Sequence, residues 1–358
     1  MQAIVLVGGE GTRLRPLTYG TPKPMVPIMN APFLARTLER LHAAGIDDVI
    51  LPAGYMPQAI TEYFGDGSQL GMKITYVIED VPLGTAGAVK NVEEYIRGPF
   101  FVLNGDVLTS LNLREMIAYH EEKKGLGALH LIKVEDPSAF GCVVHGENGR
   151  ISNFVEKPKR EEAPTDEINA GTYLLERAVL DMIPTGRNVS IERETFPKIL
   201  AEGNALYAYT TDDYWIDVGR PQQYLDAHRH ILSGEMPLQL EPGLTGQGNV
   251  QGMIIAPVHM DGDVLIEPGA EVGPNVVLGE GCRVGSGAKI CDSVLWDHVI
   301  VGKGAQIEGA IIASGSSVGD GARVGRGTVV GHDMVIEANA VLAPGSRVGP
   351  VAPLAQAP

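Results

Sequence analysis

Cysteine is scarce in this chain, with only Cys142, Cys282 and Cys291 among 358 residues. Their spacing matches no metal-binding pattern, and an odd number cannot form a complete set of disulfides. We therefore expect reduced, mostly buried thiols, as in a cytoplasmic protein. Met1 leads directly into the first predicted strand, so we expect no signal peptide.

Positive charge is also in short supply. Lysine and arginine number 28 against 44 aspartate and glutamate residues, which gives a net charge of −16. This balance argues against nonspecific binding of nucleic acid. No apolar run is long enough to span a membrane. The apolar fraction is 44%, which excludes a disordered chain, and the length allows two domains.

Strands and helices alternate up to about residue 233. This alternation predicts an α/β domain over 1–233 with a doubly wound, Rossmann-like mixed sheet. Helices are predicted over 32–44, 57–64, 86–96, 113–123, 190–201 and 221–232. Strands are predicted over 4–7, 48–53, 73–78, 100–103, 128–134, 141–145, 151–156, 169–175 and 215–219. His228 and His230 fall on a helix that we expect at the surface.

A different pattern follows a Gly-, Pro- and Gln-rich linker predicted over 234–252. Aliphatic residues recur every six positions, with two steps of five, at Ile266, Val272, Leu278, Val284, Ile290, Leu295, Val301, Ile307, Ile312, Val318, Val324, Val330, Ile336, Leu342 and Val348. A period of six fits neither a helix nor a plain sheet, but it fits a three-sided coil of short parallel strands. The pattern resembles the hexapeptide repeat of left-handed parallel β-helices, here over 253–349, with a frayed tail predicted over 350–358.

The first strand ends in a glycine-rich loop, where Gly8, Gly9 and Gly11 fall within four positions. Glycine has no Cβ, so backbone N–H groups at such a turn can approach a phosphate closely. Arg13 and Lys23 then add two cations. The spacing matches neither the Walker pattern nor the dinucleotide fingerprint. A glycine loop with two cations nevertheless indicates a site for a nucleoside triphosphate.

The complete string from Gly8 to Thr18, with Pro22-Lys23-Pro24 downstream, is far more specific. It resembles the signature of the NDP-sugar pyrophosphorylases, the nucleotidyltransferases that make nucleoside-diphosphate sugars. The segment from Leu83 to Gly87 resembles a turn of the same family near the base and sugar. The resemblance implies these nucleotide-binding residues: Leu6, Gly8, Gly9, Gly11, Thr12, Arg13, Lys23, Gly84 and Thr85.

Asp106 follows the strand predicted over 100–103, and Asp217 lies near the end of the short strand predicted over 215–219. Carboxylates at the carboxyl end of parallel strands lie where α/β folds bind ligands. Taken alone, each residue also fits a turn or a helix cap. In the family, the matching aspartates hold the catalytic metal, and Mg²⁺ accepts a few carboxylate oxygens together with phosphates and water. The resemblance thus implies Mg²⁺ as cofactor.

The sugar side of the resemblance lies further along the chain. Glu156 matches the family residue that accepts hydrogen bonds from the sugar hydroxyls, and Lys157 matches the family residue whose positive charge binds the sugar phosphate. Without the resemblance, Lys157 reads as a solvated charge at a strand end. The implied substrate-binding residues are Asp106, Gly141, Glu156, Lys157, Asn169 and Gly171.

These motifs together imply nucleotidyl transfer, in which a sugar 1-phosphate attacks the α-phosphorus of a nucleoside triphosphate and expels pyrophosphate. Enzymes catalyse such a reaction mainly by positioning the substrates and neutralising their charge. The implied catalytic residues are Arg13, Lys23, Asp106, Lys157 and Asp217.

The choice of base depends on Thr85, since thymidylyltransferases of the family carry a glutamine there. The motifs are most similar to those of members that convert GTP and mannose 1-phosphate into GDP-mannose. Two alternatives stay open: glucose 1-phosphate with dTTP or UTP, and a non-catalytic sensor of sugar nucleotides. The β-helix is expected to support a homo-oligomer, and its His298 and His332 would matter only in an acyltransferase.

Overall fold

A computed structural model describes residues 1–238 and 249–350. The chain divides into two compact units, one of Met1–Gly9 with Leu34–Trp215, the other of Glu10–Phe33 with the chain from Ile216 onward. Part of the predicted linker and nearly all of the predicted tail lie outside the described residues. The predicted domain limits stay a prediction. Within residues 1–238 and 249–350, no helix has the length and apolar composition needed to cross a membrane.

The first unit is built on a nine-stranded mixed sheet. Its strands are β1 (Gln2–Leu6), β2 (Asp48–Ala53), β3 (Lys73–Ile78), β4 (Phe100–Asn104), β5 (Gly127–Lys133), β6 (Gly141–His145), β7 (Ile151–Glu156), β8 (Glu167–Leu175) and β9 (Leu206–Thr211). The order is β7-β6-β8-β4-β1-β2-β3, and β5 pairs with both β8 and β9. Strand β1 lies between β4 and β2 in this order. Its residues Ala3, Ile4 and Val5 are fully buried.

Parallel pairing joins β1 to β2 and β4, whereas β8 runs antiparallel to β4, β5 and β6. The described residues form six α-helices: α1 (Phe33–Ala43), α2 (Pro57–Phe64), α3 (Gly84–Asn91), α4 (Leu113–Lys123), α5 (Phe196–Ala201) and α6 (Pro221–Leu232). This arrangement confirms the predicted mixed α/β sheet. Short strands also occur at Pro27–Ile28, Ala31–Pro32, Val107–Thr109 and Trp215–Asp217.

Two helix predictions were wrong at their ends. The helix predicted over 86–96 ends at Asn91 and is followed by a single 3-10 turn, Glu93–Tyr95. The helix predicted over 190–201 begins with a π-helical turn, Ile191–Thr195, before α5. Pro197 explains the second difference, because it has no N–H to continue the α-helical hydrogen bonds.

The second unit contains a parallel β-helix of three six-stranded sheets. The first sheet consists of Asn249–Val250, Leu265–Ile266, Arg283–Val284, Ile300–Val301, Ser317–Val318 and Val335–Ile336. The second consists of Met253–Ile254, Glu271–Val272, Lys289–Cys291, Gln306–Glu308, Arg323–Val324 and Val341–Leu342. The third consists of Val258–Met260, Val276–Leu278, Val294–Leu295, Ile311–Ile312, Val329–Val330 and Arg347–Val348.

The six-residue repeat fixes the register of these sheets. Ile266 pairs with Val284, one full coil of three six-residue steps further on. Val284 pairs with Val301 instead of residue 302, because one step of that coil has five residues. The repeated aliphatic residues fill the interior in one hydrophobic cluster. The predicted β-helix is thus confirmed.

The third sheet differs from the other two on its outer face. Outward-facing Ile300 and Val341 of the first two sheets are 51% and 72% exposed, whereas Val277 and Val294 of the third are buried. Val294 lines a cavity of about 130 Å³ together with Leu225 and His228 of α6. Helix α6 therefore covers part of this face, and the prediction that His228 lies at the surface was wrong.

Candidate active site

Strand β1 of the first unit leads into the glycine turn. A Cβ at Gly9 would meet no heavy atom within 4 Å, whereas a Cβ at Gly8 would lie 3.7 Å from Glu79 Oε2. Glu79 also accepts the backbone N–H of Leu83, and burial raises its pKa. Its Oε1 is buried and has no hydrogen-bond partner among the described residues. Sequence reasoning missed Glu79, although it directly follows β3, where the edge of a parallel sheet binds ligands.

The predicted turn at Gly84 and Thr85 packs tightly against residues 187–191. Gly84 has a φ of +69°, and a Cβ there would lie 2.6 Å from the Val189 carbonyl oxygen, so only glycine fits. The Thr85 hydroxyl accepts the Ile191 N–H at 2.8 Å and donates to Glu192 Oε2 at 3.1 Å. Backbone and side-chain hydrogen bonds thus join this turn to residues 189–192.

A buried chain of hydrogen bonds continues from Glu192. Its Oε1 accepts the hydroxyl of Tyr173 at 3.2 Å, and that hydroxyl accepts Asn169 Nδ2 at 2.8 Å. Tyr173 is fully buried, and burial and the Glu192 charge hold its pKa well above 10. Thr85, predicted for the nucleotide, and Asn169, predicted for the sugar, are therefore linked through two intervening side chains.

Asn169 begins an irregular stretch of β8 where the register shifts. Its Oδ1 accepts the N–H of Gly171 at 3.0 Å. Gly171 has a φ of +75°, and a Cβ there would lie 2.6 Å from Asn104 Nδ2. A Cβ at Gly105 would lie 2.5 Å from the Leu6 carbonyl oxygen. The two glycines thus let the β8 irregularity and the turn before Asp106 approach the ends of β4 and β1.

The predicted sugar-phosphate residues occupy the paired strands β6 and β7. Gly141 pairs with Glu156, and a Cβ at Gly141 would lie 3.0 Å from Glu156 Oε2. Glu156 Oε1 accepts Arg193 Nη2 at 3.1 Å, and Lys157 Nζ lies 3.7 Å from the same oxygen. Lys157 has a φ of +47°, and its N–H donates to the Phe140 carbonyl at 3.0 Å. The Lys157 side chain is 56% exposed.

The signature segment, which we define as residues Glu10–Phe33, belongs to the second unit. Gly11 has a φ of +63°, and a Cβ there would lie 3.0 Å from Lys23 Cβ. The Thr18 hydroxyl donates to the Gly11 carbonyl at 2.9 Å. Gly11 and Lys23 are therefore neighbours. Thr12 begins a 3-10 turn, Thr12–Leu14, which carries Arg13.

Asp217 ends the short strand Trp215–Asp217. A Cβ at Gly219 would lie 3.0 Å from Arg13 Nη2, so the guanidinium lies directly against this glycine. The second unit thus places Arg13 close to the chain that carries Asp217.

The donor chemistry of the two aspartates fits a hard cation. Asp106 belongs to the first unit and Asp217 to the second. Within the part of the chain that the structure describes, no group of three or more His, Cys, Asp or Glu residues gathers to hold a metal. One or two carboxylates with substrate phosphates suit Mg²⁺, whereas Zn²⁺ would require a fuller set of protein ligands.

The sequence matches two family models, "Nucleotidyl transferase" over residues 2–234 and "GMPPB C-terminal domain" over residues 254–355. It is 43% identical to mannose-1-phosphate guanylyltransferase of Mycobacterium tuberculosis over 310 residues, 86% of this chain and 83% of that protein. It is 34% identical to UTP–glucose-1-phosphate uridylyltransferase of Synechocystis over 340 residues, 87% of each.

A solved structure with the same fold is HddC from Yersinia pseudotuberculosis complexed with GMP-PN. It is 31% identical, has a TM-score of 0.56, and covers 64% of this chain and 99% of its own. The matched model spans well over half of the chain, so the protein belongs to the nucleotidyl transferase family. The resemblance carried by the signature is thereby confirmed.

Proposed function

We propose that the protein condenses GTP with mannose 1-phosphate to give GDP-mannose and pyrophosphate. The main support is the M. tuberculosis guanylyltransferase, which is 43% identical and matches 86% of this chain. Mannose-1-phosphate guanylyltransferase 1 of Arabidopsis thaliana matches 87% of it at 39% identity. The match at 254–355 to a GMPPB C-terminal domain extends the support to the β-helix.

The reaction exchanges one phosphorus–oxygen bond for another. A phosphate oxygen of mannose 1-phosphate bonds to the α-phosphorus of GTP while the bond from that phosphorus to the α,β-bridging oxygen breaks. The bridging oxygen leaves with its electron pair as part of pyrophosphate. No oxidant or covalent enzyme intermediate is needed, so the protein contributes position and charge.

Residues at the glycine turn and in the signature segment bind the triphosphate in this proposal. The nucleotide lies against Leu6, Gly8, Gly9, Gly84 and Thr85, and the phosphates against Gly11 and Thr12. Lys23 holds the triphosphate, supported by its packing on Gly11. Arg13 neutralises the charge that develops on pyrophosphate, because its guanidinium presents several N–H donors in a planar fork that matches phosphate oxygens.

The residues on β6, β7 and β8 bind the sugar phosphate. Lys157 orients the attacking phosphate from its exposed turn. Glu156, Asn169 and the backbone at Gly141 and Gly171 contact the sugar. Arg193 holds Glu156 and lies in the segment that also bonds Thr85, so both substrates depend on residues 187–193.

Asp106 and Asp217 would hold the divalent metal, Mg²⁺. When bound, the metal would supply positive charge that offsets the negative charge of the substrate phosphates. The two carboxylates would supply its oxygen ligands from the protein.

Glu79 carries the choice of guanine over uracil or thymine in this proposal. A carboxylate only accepts hydrogen bonds, and guanine presents two adjacent donors, N1–H and the N2 amino group. Uracil and thymine present a single N3–H between two carbonyl oxygens, which a carboxylate repels. Support comes from the buried Glu79 Oε1, which has no partner among the described residues and belongs to the carboxylate nearest Gly8.

Uridylyl transfer to glucose 1-phosphate is the second candidate, favoured by the 34% identity to the Synechocystis enzyme. Pyrophosphate release from a matrix of GTP, UTP, dTTP and ATP against mannose and glucose 1-phosphates separates the two. We expect the highest kcat/KM for GTP with mannose 1-phosphate. A higher value for UTP or dTTP would overturn the choice of base, and no release from any pair would favour the sensor alternative.

Self-association through the β-helix and a cytoplasmic location stay predictions. Exposed Val335 and Val341, 67% and 72% exposed on two sheets of the coil, are apolar positions that a second copy of the chain would cover.

A further inference from the structure

The signature segment groups with the β-helix, although it directly follows β1 in the chain. It shares one compact unit with α6 and the three parallel sheets. Pro16 lies against the last coils, since a Cβ at Gly349 would come within 2.5 Å of Pro16 Cβ and one at Gly331 within 3.3 Å. The segment that carries Arg13 and Lys23 therefore packs against the β-helix.

One point of attachment is a buried chain of two hydrogen bonds. Trp296, in the third face of the coil, donates its Nε1–H to the Tyr224 hydroxyl at 2.9 Å. That hydroxyl donates to the Pro27 carbonyl at 2.7 Å. Tyr224 is fully buried and Trp296 is nearly so, and burial raises the Tyr224 pKa, so the hydroxyl stays a donor. Removing it would leave a buried N–H and a buried carbonyl unpaired.

A strained turn follows Pro27. The strands Pro27–Ile28 and Ala31–Pro32 pair around Met29 and Asn30, whose φ values are +49° and +61°. Turns of this kind favour Asn and Gly, so a methionine there carries backbone strain. His228 Nε2 accepts the Met29 N–H at 3.2 Å, and Asn30 Nδ2 donates to the Leu278 carbonyl at 2.9 Å. Helix α6 and the β-helix thus hold the turn in place.

A second point of attachment is His332. Its Nε2 lies 2.9 Å from the Thr21 hydroxyl, and it hydrogen-bonds the backbone of Leu17. Its ring packs edge-on against Trp296 with centroids 5.3 Å apart. Burial lowers the His332 pKa, so the ring is neutral at pH 7 and can donate from one nitrogen while accepting at the other.

Lys23 lies between these two attachments. Thr21, two residues before it, is held by His332, and Pro27, four residues after it, is held by Tyr224 and Trp296. We propose that Trp296, Tyr224 and His332 are positioning residues for the triphosphate, through which the β-helix fixes the backbone that carries Lys23. The proposal rests on the proposed function, in which Lys23 holds the triphosphate.

The test compares full-length variants that remove the hydrogen-bonding atoms of the two attachments and keep an aromatic ring at each position. Tyr224→Phe and Trp296→Phe each interrupt the first attachment, and His332→Phe interrupts the second while retaining a ring beside Trp296. The matched control is His298→Asn, an exposed histidine of the same β-helix with a φ of +59°, which asparagine tolerates. The dissociation constant of GTP is measured by calorimetry with Mg²⁺, and KM is measured for each substrate.

We expect each of the three variants to raise the GTP dissociation constant and the KM for GTP roughly 5- to 30-fold, as the loss of one or two hydrogen bonds predicts. The KM for mannose 1-phosphate should stay within about twofold. Tyr224→Phe with Trp296→Phe should be no worse than the more damaging single variant, because both break one chain of bonds. The control should bind GTP as the unmodified protein does.

Three results would overturn the proposal. The first is a lower melting temperature with unchanged GTP affinity, which would make the contacts merely structural. The second is an equal rise of both KM values. The third is additive effects of Tyr224→Phe and Trp296→Phe. If the unmodified protein binds UTP instead of GTP, the same variants are measured with UTP, and only the choice of base fails. An unmodified protein that binds no triphosphate would overturn the proposed function and this proposal together.

Discussion

The Tyr173 hydroxyl donates to the Glu192 carboxylate at 3.2 Å. Through this bond, the strand that carries Asn169 is tied to the segment that holds Thr85. Both substrates of the proposed reaction therefore depend on one buried tyrosine that touches neither of them in our assignment. The raised pKa of Tyr173 keeps the hydroxyl protonated and able to donate throughout the working pH range.

Tyr173→Phe should therefore weaken use of both substrates. The variant keeps the ring that packs edge-on against Phe196 but leaves Glu192 Oε1 and Asn169 Nδ2 each without one bond. We expect a loss of about 1–3 kcal/mol in transition-state binding, hence roughly 5- to 100-fold in kcat/KM for each substrate. Steady-state kinetics with each substrate varied in turn measures it. An effect confined to a single substrate would contradict the proposed link.

Glu79→Gln tests the choice of base. The amide keeps the size of the carboxylate but replaces one acceptor by a donor, which opposes the two donors of guanine and suits a pyrimidine carbonyl. We expect the ratio of kcat/KM for GTP to that for UTP to fall about 10- to 100-fold, since a mispaired polar edge costs about 1–3 kcal/mol.

Thr85→Val is the companion measurement for Glu79→Gln. It removes the Thr85 hydroxyl, which is bound to Ile191 and Glu192 within the protein, so it should lower activity with GTP and UTP alike. A change in the GTP-to-UTP ratio from Thr85→Val but not from Glu79→Gln would move the choice of base to Thr85.

Asp106→Asn and Asp217→Asn should each abolish most turnover. Each substitution removes one negative oxygen ligand from the cation and should cost several kcal/mol, hence at least about 100-fold in kcat. Circular dichroism should match that of the unmodified protein, since asparagine keeps the size of aspartate and both residues are only partly buried. Near-normal Mg²⁺-dependent rates in either variant would refute the assignment. Chelation of the metal should inhibit the unmodified protein, and added Mg²⁺ should restore it.

The periodicity of apolar residues predicted most of the fold, because residues close together in the sequence determine the secondary structure. The alternation of the first 233 residues and the six-residue repeat after 252 are both set by which side chains enter a core. The register step at Ile290 and Leu295 was readable as well, because a missing residue shortens the coil. Contacts between residues that are distant in the sequence could not be predicted. No local pattern shows that Trp296 bonds Tyr224, or that Pro16 packs on Gly349.

The residues of the candidate site likewise fall into those that a local motif predicted and those that only the folded structure shows. The glycines and charged residues of the signature stand in a recognisable string, so their roles could be predicted. Glu79, which directly follows β3, and Tyr173 in β8 belong to no recognisable motif. Their significance arises from the bonds they make with Leu83 and Glu192 in the folded chain. His228 was wrongly placed at the surface for the same reason, and the contact of His332 with Thr21 was equally unpredictable, since only the tertiary structure brings the two histidines against the signature segment.

The last prediction concerns His130 on β5, which is fully buried and bonds Thr211 through Nε2 at 2.9 Å. Burial, with a smaller contribution from the Arg40 charge, lowers its pKa from 6.5 to about 3. Between these values the unfolded chain binds a proton that the folded chain does not, so the free energy of unfolding falls as pH falls. The slope from this residue approaches about 1.4 kcal/mol per pH unit.

His130→Gln should therefore flatten the acid limb of the stability curve. Glutamine does not titrate and can still donate to Thr211, so the variant should lose stability more slowly than the unmodified protein from about pH 6 to pH 4. Urea unfolding at intervals of half a pH unit gives both curves. At pH 8 the histidine is neutral in both states, so the variant there reports only the change in packing. If the two proteins lose stability in parallel below pH 6, another group controls the acid transition and His130 is not kept neutral by its burial.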